Sequence, residues 1–574
     1  MRIRNRVGLA ALVLLSLFVL LRAAPARSGI ETGDEVTLTL VGRVVNTQGT
    51  AVDEAEVRVF VSDEETQVAH IGADGFYVVE LTLSQALIEA EAVAVEISKS
   101  GFRTTRQGLS RQEMACTSDR CHVRVPDVVL LRIFNVAFFI ATLTFVAVFV
   151  LIAFHVLHDT LAAFLGATVM LGISYTIGTF NPDFWILGFD QAIEFIDFDV
   201  IFLIMTLMIV VSIIGRTGVF QWLALAAYRA ARGSAWRLAV ILMAATAVMS
   251  ALLNNVTIML LMAPITIQIA LMLEINPTAL IIPEALAAEV GGAATLIGDP
   301  PNTVIGSFAD LGFNQFLIHM GPIALTATIT LMAVIYLIYR RDYAAVRKVP
   351  SPALLARLEK DAQITDPVTL KRGLLVVGLM MALFFTSELF QMPPSVVGLI
   401  GATILLVWVQ PNVEEMLSEV DWTMLVFFMS LFIVVGGVEE VGLIQWIADF
   451  IARIAGADLF VASLSVLGLS AVASAIVNNI PFTTAALPIA AFLTRTVPGA
   501  GNNVLYWSLS LGANMGGNAT YIGSAPNVVA VGVLDRAGYR VTFVDWLKVG
   551  VPVTFATVLV PSIWLWVRYF WLKF

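Results

Sequence analysis

One unusual pattern occurs twice in this chain, and that repetition limits what it can fold into. Residues 247–264 read AVMSALLNNVTIMLLMAP, and residues 471–488 read AVASAIVNNIPFTTAALP. Some forty residues after each Asn pair comes a second echo, GGAATLIGDPPN at 291–302 and GGNATYIGSAPN at 516–527. Both motifs recur at a spacing of roughly 224 residues, so a whole half of the chain repeats. Each copy sets Asn, Thr, Gly and Pro inside otherwise apolar stretches. A lipid-spanning helix tolerates such breaks only where the freed backbone groups are buried in protein or line a watery cavity. Interrupted segments at corresponding places in two halves point to the binding site of a secondary transporter.

Of 574 residues, 59% are hydrophobic and 13% charged. The mean hydropathy is +0.88, so most of the chain belongs in a lipid bilayer. The net charge of −10 says nothing of orientation, which follows Lys/Arg placement. No basic stripe marks a nucleic-acid partner. HExxH, GxSxG and P-loop patterns are missing, so the chain is not expected to be an enzyme.

Arg2, Arg4 and Arg6 precede an apolar run, Val7–Leu21, and then Ala24-Pro25-Ala26. Residues 1–26 therefore read as a signal peptide, with an uncleaved signal anchor as the alternative. Residues 31–130 are expected on the extracytoplasmic side as a small antiparallel all-β sandwich. Its runs VTLTLVGRVV, AEVRVFV, FYVVELTL and AVAVEIS are separated by turns such as Thr47-Gln48-Gly49 and Ala73-Asp74-Gly75. This segment resembles the carboxypeptidase-regulatory-like (transthyretin-like) module. The only two cysteines, Cys116 and Cys121, fall at its end and are a candidate small-loop disulfide, with free thiols as the alternative.

Beyond residue 130 the pattern is membrane throughout. Leading transmembrane helices occupy 131–198, with spans near 133–154 and 160–180. A first inverted repeat occupies 199–340, a cytoplasmic loop 341–372, and the second half with the second repeat 373–574. Arg216, Arg229, Arg232, Arg237 and the basic loop Arg340–Arg372 fall inside, in accord with the exported N-terminal region. Asp199-Val-Ile-Phe aligns with Asp421-Trp-Thr-Met, and Gly218…Trp222 with Gly442…Trp446, given a two-residue insert at Glu439-Glu440.

Each Asn pair, Asn254-Asn255 and Asn478-Asn479, predicts the polar tip of a re-entrant hairpin reaching the midplane. Asn supplies donors and acceptors together, so a tip Asn suits both helix capping and ligand contact. In each echo, Gly and Pro force the helix to unwind near Gly298 and Gly523. The half-helix beyond the break is expected to offer free N–H groups to an anion, and the unwound carbonyls to favour a cation. Thr295 and Thr520 add matched hydroxyls, and Pro301, Asn302, Asn518 and Asn527 complete the two breaks. The copies differ where Asp299 meets Ser524, and where Glu289 meets Asn514. Asp299 and Glu289 are the coupling candidates, because a buried ionisable group in a membrane is functional by default. Capping of the following half-helix is the rival role for Asp299. Glu284 shares the helix of Glu289, and His155 and His158 read as membrane-edge residues.

The segments NNVTIMLLMAPITIQI, GGAATLIGDPPNTVIGS, NNIPFTTAALPI and LGANMGGNATYIGSAPNVVAVGV resemble the ion transporter superfamily over roughly 199–570. That group holds citrate and arsenite permeases, divalent-anion symporters and Na+/H+ antiporters, and the pattern is nearest its pink-eyed-dilution P protein branch. The resemblance implies a dimeric scaffold, a mobile transport subdomain and elevator-like alternating access. By position it also implies cation sites at Asn254, Asn255, Thr257 and Gly298–Asn302, and at Asn478, Asn479, Thr483 and Gly523–Asn527. Both tips read Asn-Asn where relatives usually carry an Asp, which shifts weight to Asp299.

The sequence is thus expected to form a polytopic α-helical membrane protein with two inverted repeats, re-entrant hairpins and broken helices, plus the sandwich. Its expected function is secondary active transport of a small inorganic or carboxylate anion across the cell membrane, as a homodimer. The coupling ion would be Na+ or H+, with a Na+ site at Asn255, Asp299 and Asn302, and no cofactor is otherwise expected. Na+/H+ antiport is the nearest alternative, and a non-transporting sensor acting through the sandwich is the alternative of another class.

Overall fold

The computed structural model describes residues 35–572, apart from 47–51, 53–54, 62–63, 72–74, 85–92, 100–101, 103, 110–113, 117–119, 131–133, 155, 254, 345–358, 361 and 448–457. The signal segment 1–26, Asn254 and His155 therefore lie outside the described residues. Two units divide at residue 133.

In the first unit, strict alternation of buried and outward side chains builds two facing sheets. In β2 (Glu56–Val61) and β5 (Val93–Ser98) every second residue is buried. The remaining strands are β1 (Glu35–Asn46), β3 (Glu64–His70), β4 (Phe76–Ser84), β6 (Thr105–Gly108), β7 (Met114–Cys116), β8 (Arg120–Arg124) and β9 (Val128–Leu130). One sheet runs in the order β4-β1-β8-β7, with β9 also on β1; the other runs β3-β2-β5-β6. Leu38, Leu40, Val57, Val59, Val79, Val95 and Ile97 fill the space between them. The expectation of a purely antiparallel sandwich needs correction. The central strand β1 (Glu35–Asn46) pairs in parallel with β8 (Arg120–Arg124) and β9 (Val128–Leu130). Parallel partners come from far along the chain, so no local turn signal announces them. Cys116 stands opposite Cys121 in the β7–β8 register, and Cys121 is disulfide-bonded. In the full-length protein, Cys121→Ala should lower the stability of this unit by roughly 2 kcal/mol, since the closed loop is short. Urea denaturation followed by the far-ultraviolet strand signal would show it.

The second unit is helical, and nine of its described helices are long and apolar enough to cross a membrane. The leading pair is α1 (Val136–Ala153) and α2 (Asp159–Ile173), the latter continued by a π-turn to Gly178. His158 lies exposed at the start of α2, where its Nδ1 accepts from the Thr160 amide, so it is a cap at a helix edge. The first repeat comprises α3 (Phe198–Gly215), α4 (Val219–Ala231), α5 (Ala235–Ser250), α6 (Asn255–Met272), α7 (Thr278–Gly292), α8 (Pro300–Phe308) and α9 (Phe313–Ala344). The second half runs α10 (Pro367–Thr386), α11 (Pro394–Val409), α12 (Val413–Ser418), α13 (Trp422–Glu440), α14 (Leu459–Ile476), α15 (Asn479–Thr496), α16 (Val504–Gly516), α17 (Ala525–Arg536) and α18 (Phe543–Trp566).

The repeat register also needs correction. Asp197 caps α3 through the Val200 amide, and Asp421 caps α13 through the Met424 amide. Gly218 and Gly442 then take matching left-handed conformations, φ 81° and 84°. Asp197, rather than Asp199, is thus the partner of Asp421, and the two-residue insert disappears. Glu439 and Glu440 simply close α13.

Both Asn segments fold back as hairpins. In the first, Thr246 of α5 lies 3.9 Å from the Met262 sulfur of α6, so the arms run side by side. The arms have 16 and 18 residues, or about 24 and 27 Å of rise. That exceeds half of a roughly 30 Å hydrocarbon core, so a tip at the midplane requires the arms to tilt or to extend beyond it. The two repeats interlock by exchange: α6 packs on α17 as α15 packs on α8, and α7 packs on α17 as α16 packs on α8.

Candidate functional site

Each hairpin tip is bolted to the break of its own repeat by the same set of bonds. Ser250 donates to the Ala288 carbonyl and Ser474 to the Ala513 carbonyl, both at 2.6 Å. Thr295 donates to the Ala251 carbonyl and accepts from the Gly298 amide at 3.1 Å. Thr520 does likewise with Ala475 at 2.7 Å and Gly523 at 3.0 Å. These two threonines therefore brace the unwound segments and are not aimed at a ligand.

The breaks themselves are more self-satisfied than expected. The Asn302 amide nitrogen reaches the carbonyls of Gly292, Ala293 and Thr295 at 3.4, 3.1 and 2.9 Å. Thr303 takes the Leu296 carbonyl. Four carbonyls of the first break are thus already occupied. Pro300 and Pro301 remove the first two N–H groups of α8, and the Asn302 and Thr303 amides bond the Asp299 carbonyl. The first half-helix consequently has no free N–H cluster for an anion. In the second break Pro526 stands at the second helical position and Ala525 keeps its N–H.

What remains is a ring of side chains where the repeats meet. Asn255 donates to Asp299 Oδ1 at 2.9 Å and to Glu289 Oε2 at 3.4 Å. Asn479 donates to Glu289 Oε1 at 2.5 Å and to Asp299 Oδ2 at 3.2 Å. Each tip amide therefore bridges both carboxyl groups, one tip from each repeat. All four side chains are at most 3% exposed. Asp299 occupies the N-cap position of α8, yet its side chain makes no capping bond. Its carboxyl points to the tips instead, which removes the capping role. Glu289, whose direction the sequence left open, projects into the ring and reaches the second break, where its Oε1 lies 3.4 Å from the position of a Cβ on Gly517.

The other expected residues divide clearly. Asn478 caps α15 through the Ile480 amide and is half-buried, so it is not part of the ring. Thr483 bonds back to the Asn479 carbonyl and steadies that tip. Thr257 lines an adjoining cavity. Pro301 lies buried in the first turn of α8. A shared Na+ site of Asn255, Asp299 and Asn302 is not assembled. Asn255 turns its NH2 toward Asp299, and Asn302 Oδ1 already accepts from Ser510 at 2.7 Å and Asn514 at 2.9 Å. Among the described residues no three His, Cys, Asp or Glu converge as metal ligands.

The Ser510–Asn514–Asn302 cluster escaped sequence reasoning, although Asn514 was visible as the counterpart of Glu289. Asn302 thus joins both repeats, and Asn302→Ala should cost about 2–3 kcal/mol by orphaning buried partners. The lost stability would appear as a lower melting temperature in detergent. Its counterpart Asn527 donates to the Gly517 carbonyl at 3.2 Å and to Asn518 Oδ1 at 3.3 Å, while Asn518 donates to the Leu286 carbonyl. Asn527 Oδ1 is buried with no partner among the described residues. By repeat symmetry, Glu289 stands toward Asn527 as Asn514 stands toward Asn302. Ser524, fully buried, lies on the same side of the ring as Gly517.

Interlocked broken helices closing on buried carboxyl groups are the architecture of a transporter, and known proteins of similar sequence agree. The citrate transporter (CitMHS) family profile matches residues 149–512. The chain belongs to the citrate transporter family. An uncharacterised transporter of Mycobacterium bovis is 36% identical over 75% of this chain and 98% of its own length. The 46 kDa membrane protein of Mycobacterium leprae is 34% identical over 75% and 98%. The P protein of Sus scrofa is 30% identical over 74% of this chain, a match that spans 59% of that longer protein. Among solved structures, the YdaH transporter of Alcanivorax borkumensis superposes with a TM-score of 0.50 at 16% identity. It covers 72% of this chain and 99% of its own, and shares the fold. The protein is a multi-pass membrane transporter of this family.

Proposed function

We propose that the protein is a secondary active transporter that moves a small carboxylate-type anion and couples it to H+ or Na+ at Glu289 and Asp299. The observation that carries this reading is the double bridge, in which Asn255 and Asn479 each hold both carboxyl groups. Two adjacent buried carboxylates with no Lys, Arg or His in the ring need a proton or a monovalent cation between them. Binding of that cation neutralises the pair and relieves its repulsion. The tips come from opposite repeats, so cation occupancy changes how the two hairpins are held together. That is a physical link between loading and movement, and it suits elevator-type alternation in a homodimer with residues 31–130 outside the cell.

The anion reading is supported by the family description and by the positive end of α17, where Ala525 keeps its amide. With the carboxyl pair neutralised, an anion can approach that end without meeting a fixed negative charge. Na+/H+ exchange is the second reading, favoured by the absence of any fixed cation in the ring. Proteoliposomes separate the two. Labelled citrate should accumulate under an imposed Na+ or pH gradient and collapse when the gradient is dissipated. Cation exchange without citrate movement would select the second reading, and no flux of either would overturn both.

A further inference from the structure

A cavity of about 550 Å3 opens where α3 ends and runs to Val256 and Thr257, just beyond the Asn255 tip. This volume falls within the roughly 300–1,000 Å3 of small-molecule sites. Among the described residues lining it, Arg216 is the single cation. At the opposite end of α3 a second cavity, about 390 Å3, is lined by Asp199, Asp310 and Glu388 and, among the described residues, by no Lys or Arg. Glu419 and Asp421 also line the first cavity, so both ends are acidic, and only the Arg216 end offers an anion a cationic partner.

Arg216 already holds a carboxylate. Glu419 Oε1 accepts from its Nε at 2.8 Å and from its Nη2 at 2.5 Å, and Ser212 Oγ donates to Glu419 Oε2. Ser212 on α3 and Arg216 at its C-cap are four residues apart in helical conformation, so they share one face and act together on one carboxylate. Glu415 adds a longer contact at 3.4 Å. The backbone beneath is fixed: the Thr365 amide bonds the Thr217 carbonyl at 2.9 Å, and Thr365 Oγ1 bonds the Arg216 carbonyl at 3.2 Å. The side chains of Arg216 and Glu419 stay 41% and 40% exposed. A pair that remains wet exchanges partners at little cost.

We propose that Ser212 and Arg216 form an admission site for a carboxylate group of the transported anion, and that Glu419 is its built-in, displaceable occupant. This rests on the anion reading above. A di- or tricarboxylate enters the cavity, takes the guanidinium and hydroxyl from Glu419, and is thereby held beside the first hairpin tip. Arg216 is here a substrate-binding residue of the vestibule and takes no part in cation coupling.

Labelled citrate uptake into proteoliposomes with the cytoplasmic face outward, the face on which Arg216 is expected, tests this with the full-length protein. Arg216→Gln should raise the KM for citrate about tenfold with the maximal rate within about twofold. Arg216→Lys should recover part of the loss, because it keeps the charge but not the planar fork. Ser212→Ala, which leaves every charge in place, should raise KM about threefold. Glu419→Gln should act in the opposite direction, lowering KM several-fold and steepening its dependence on ionic strength. A KM unchanged in Arg216→Gln, or raised in Glu419→Gln, in protein that still transports citrate would overturn the admission site alone. Cation exchange without citrate flux in the wild-type protein would instead overturn the anion reading and the admission site with it.

Discussion

Asp299→Asn is expected to reduce gradient-driven uptake by about 100-fold or more, while exchange of solute for solute across the membrane continues. The bonding of the ring dictates this outcome. Asn has the size of Asp and keeps a carbonyl oxygen to accept from Asn255. It cannot ionise, so Glu289 is left as the single ionisable carboxyl and the second charge that draws H+ or Na+ between the pair is lost. Asn479 loses one acceptor and keeps the other on Glu289. The expected cost in stability is therefore only about 1 kcal/mol, one exchanged hydrogen bond. A hundredfold loss of driven flux corresponds to about 2.7 kcal/mol of lost coupling. Asn255→Ala provides the contrast, since it removes a donor and leaves both acids. That variant should show weaker uptake whose steady-state accumulation still follows the imposed gradient. If Asp299→Asn accumulates solute to the wild-type ratio, the carboxyl pair is not the coupling centre.

How much of this site could be read in the sequence depended on the kind of signal each residue left. Asn255, Asn479 and the breaks at Gly298 and Gly523 were legible because polar residues, glycines and prolines in an apolar run conflict with a plain spanning helix. Their recurrence made the inference stronger than either copy alone. The satisfaction of the first break was not legible. It depends on Asn302 folding back onto three carbonyls and on Ser510 arriving from more than two hundred residues away. A sequence shows which groups a break frees, but not which neighbours take them up. The centre of the site thus moved from backbone groups to carboxyl side chains.

Glu289 and Asp197 illustrate two other limits. Glu289 was visible only as a departure from Asn514, and its orientation on α7 required the packing of α17 against that helix. Asp197 and Asp199 both precede similar apolar runs, so either could be aligned with Asp421. The capping bonds decide between them. In the sandwich, alternation revealed which faces are buried, whereas the parallel pairing of β1 with β8 needed the fold itself.

The close fit of tip and break leads to the second large effect. Gly298 and Gly523 have ordinary negative φ values, so their conformations do not by themselves demand glycine. Space does. A Cβ on Gly298 would lie 2.5 Å from the Gly292 carbonyl oxygen and 2.7 Å from that of Ser250. On Gly523 the corresponding distances are 2.5 Å to Gly517 and 2.8 Å to Ser474. The obstacles are backbone atoms on two sides, one in the break and one at the end of the hairpin arm, so neither can swing away like a side chain. Gly298→Ala or Gly523→Ala must push the tip out of its break, straining the Ser and Thr bonds that bolt it there. Each should cost about 3 kcal/mol or more, giving little monodisperse protein in detergent and a melting temperature well below wild type. Gly532 is the control. It lies in α17 with nothing within 4 Å of an added Cβ, and Gly532→Ala should be neutral or stabilise by up to about 1 kcal/mol. Wild-type melting behaviour in Gly298→Ala would mean that the tip is not seated against the break, and the ring built on that seat would fail with it.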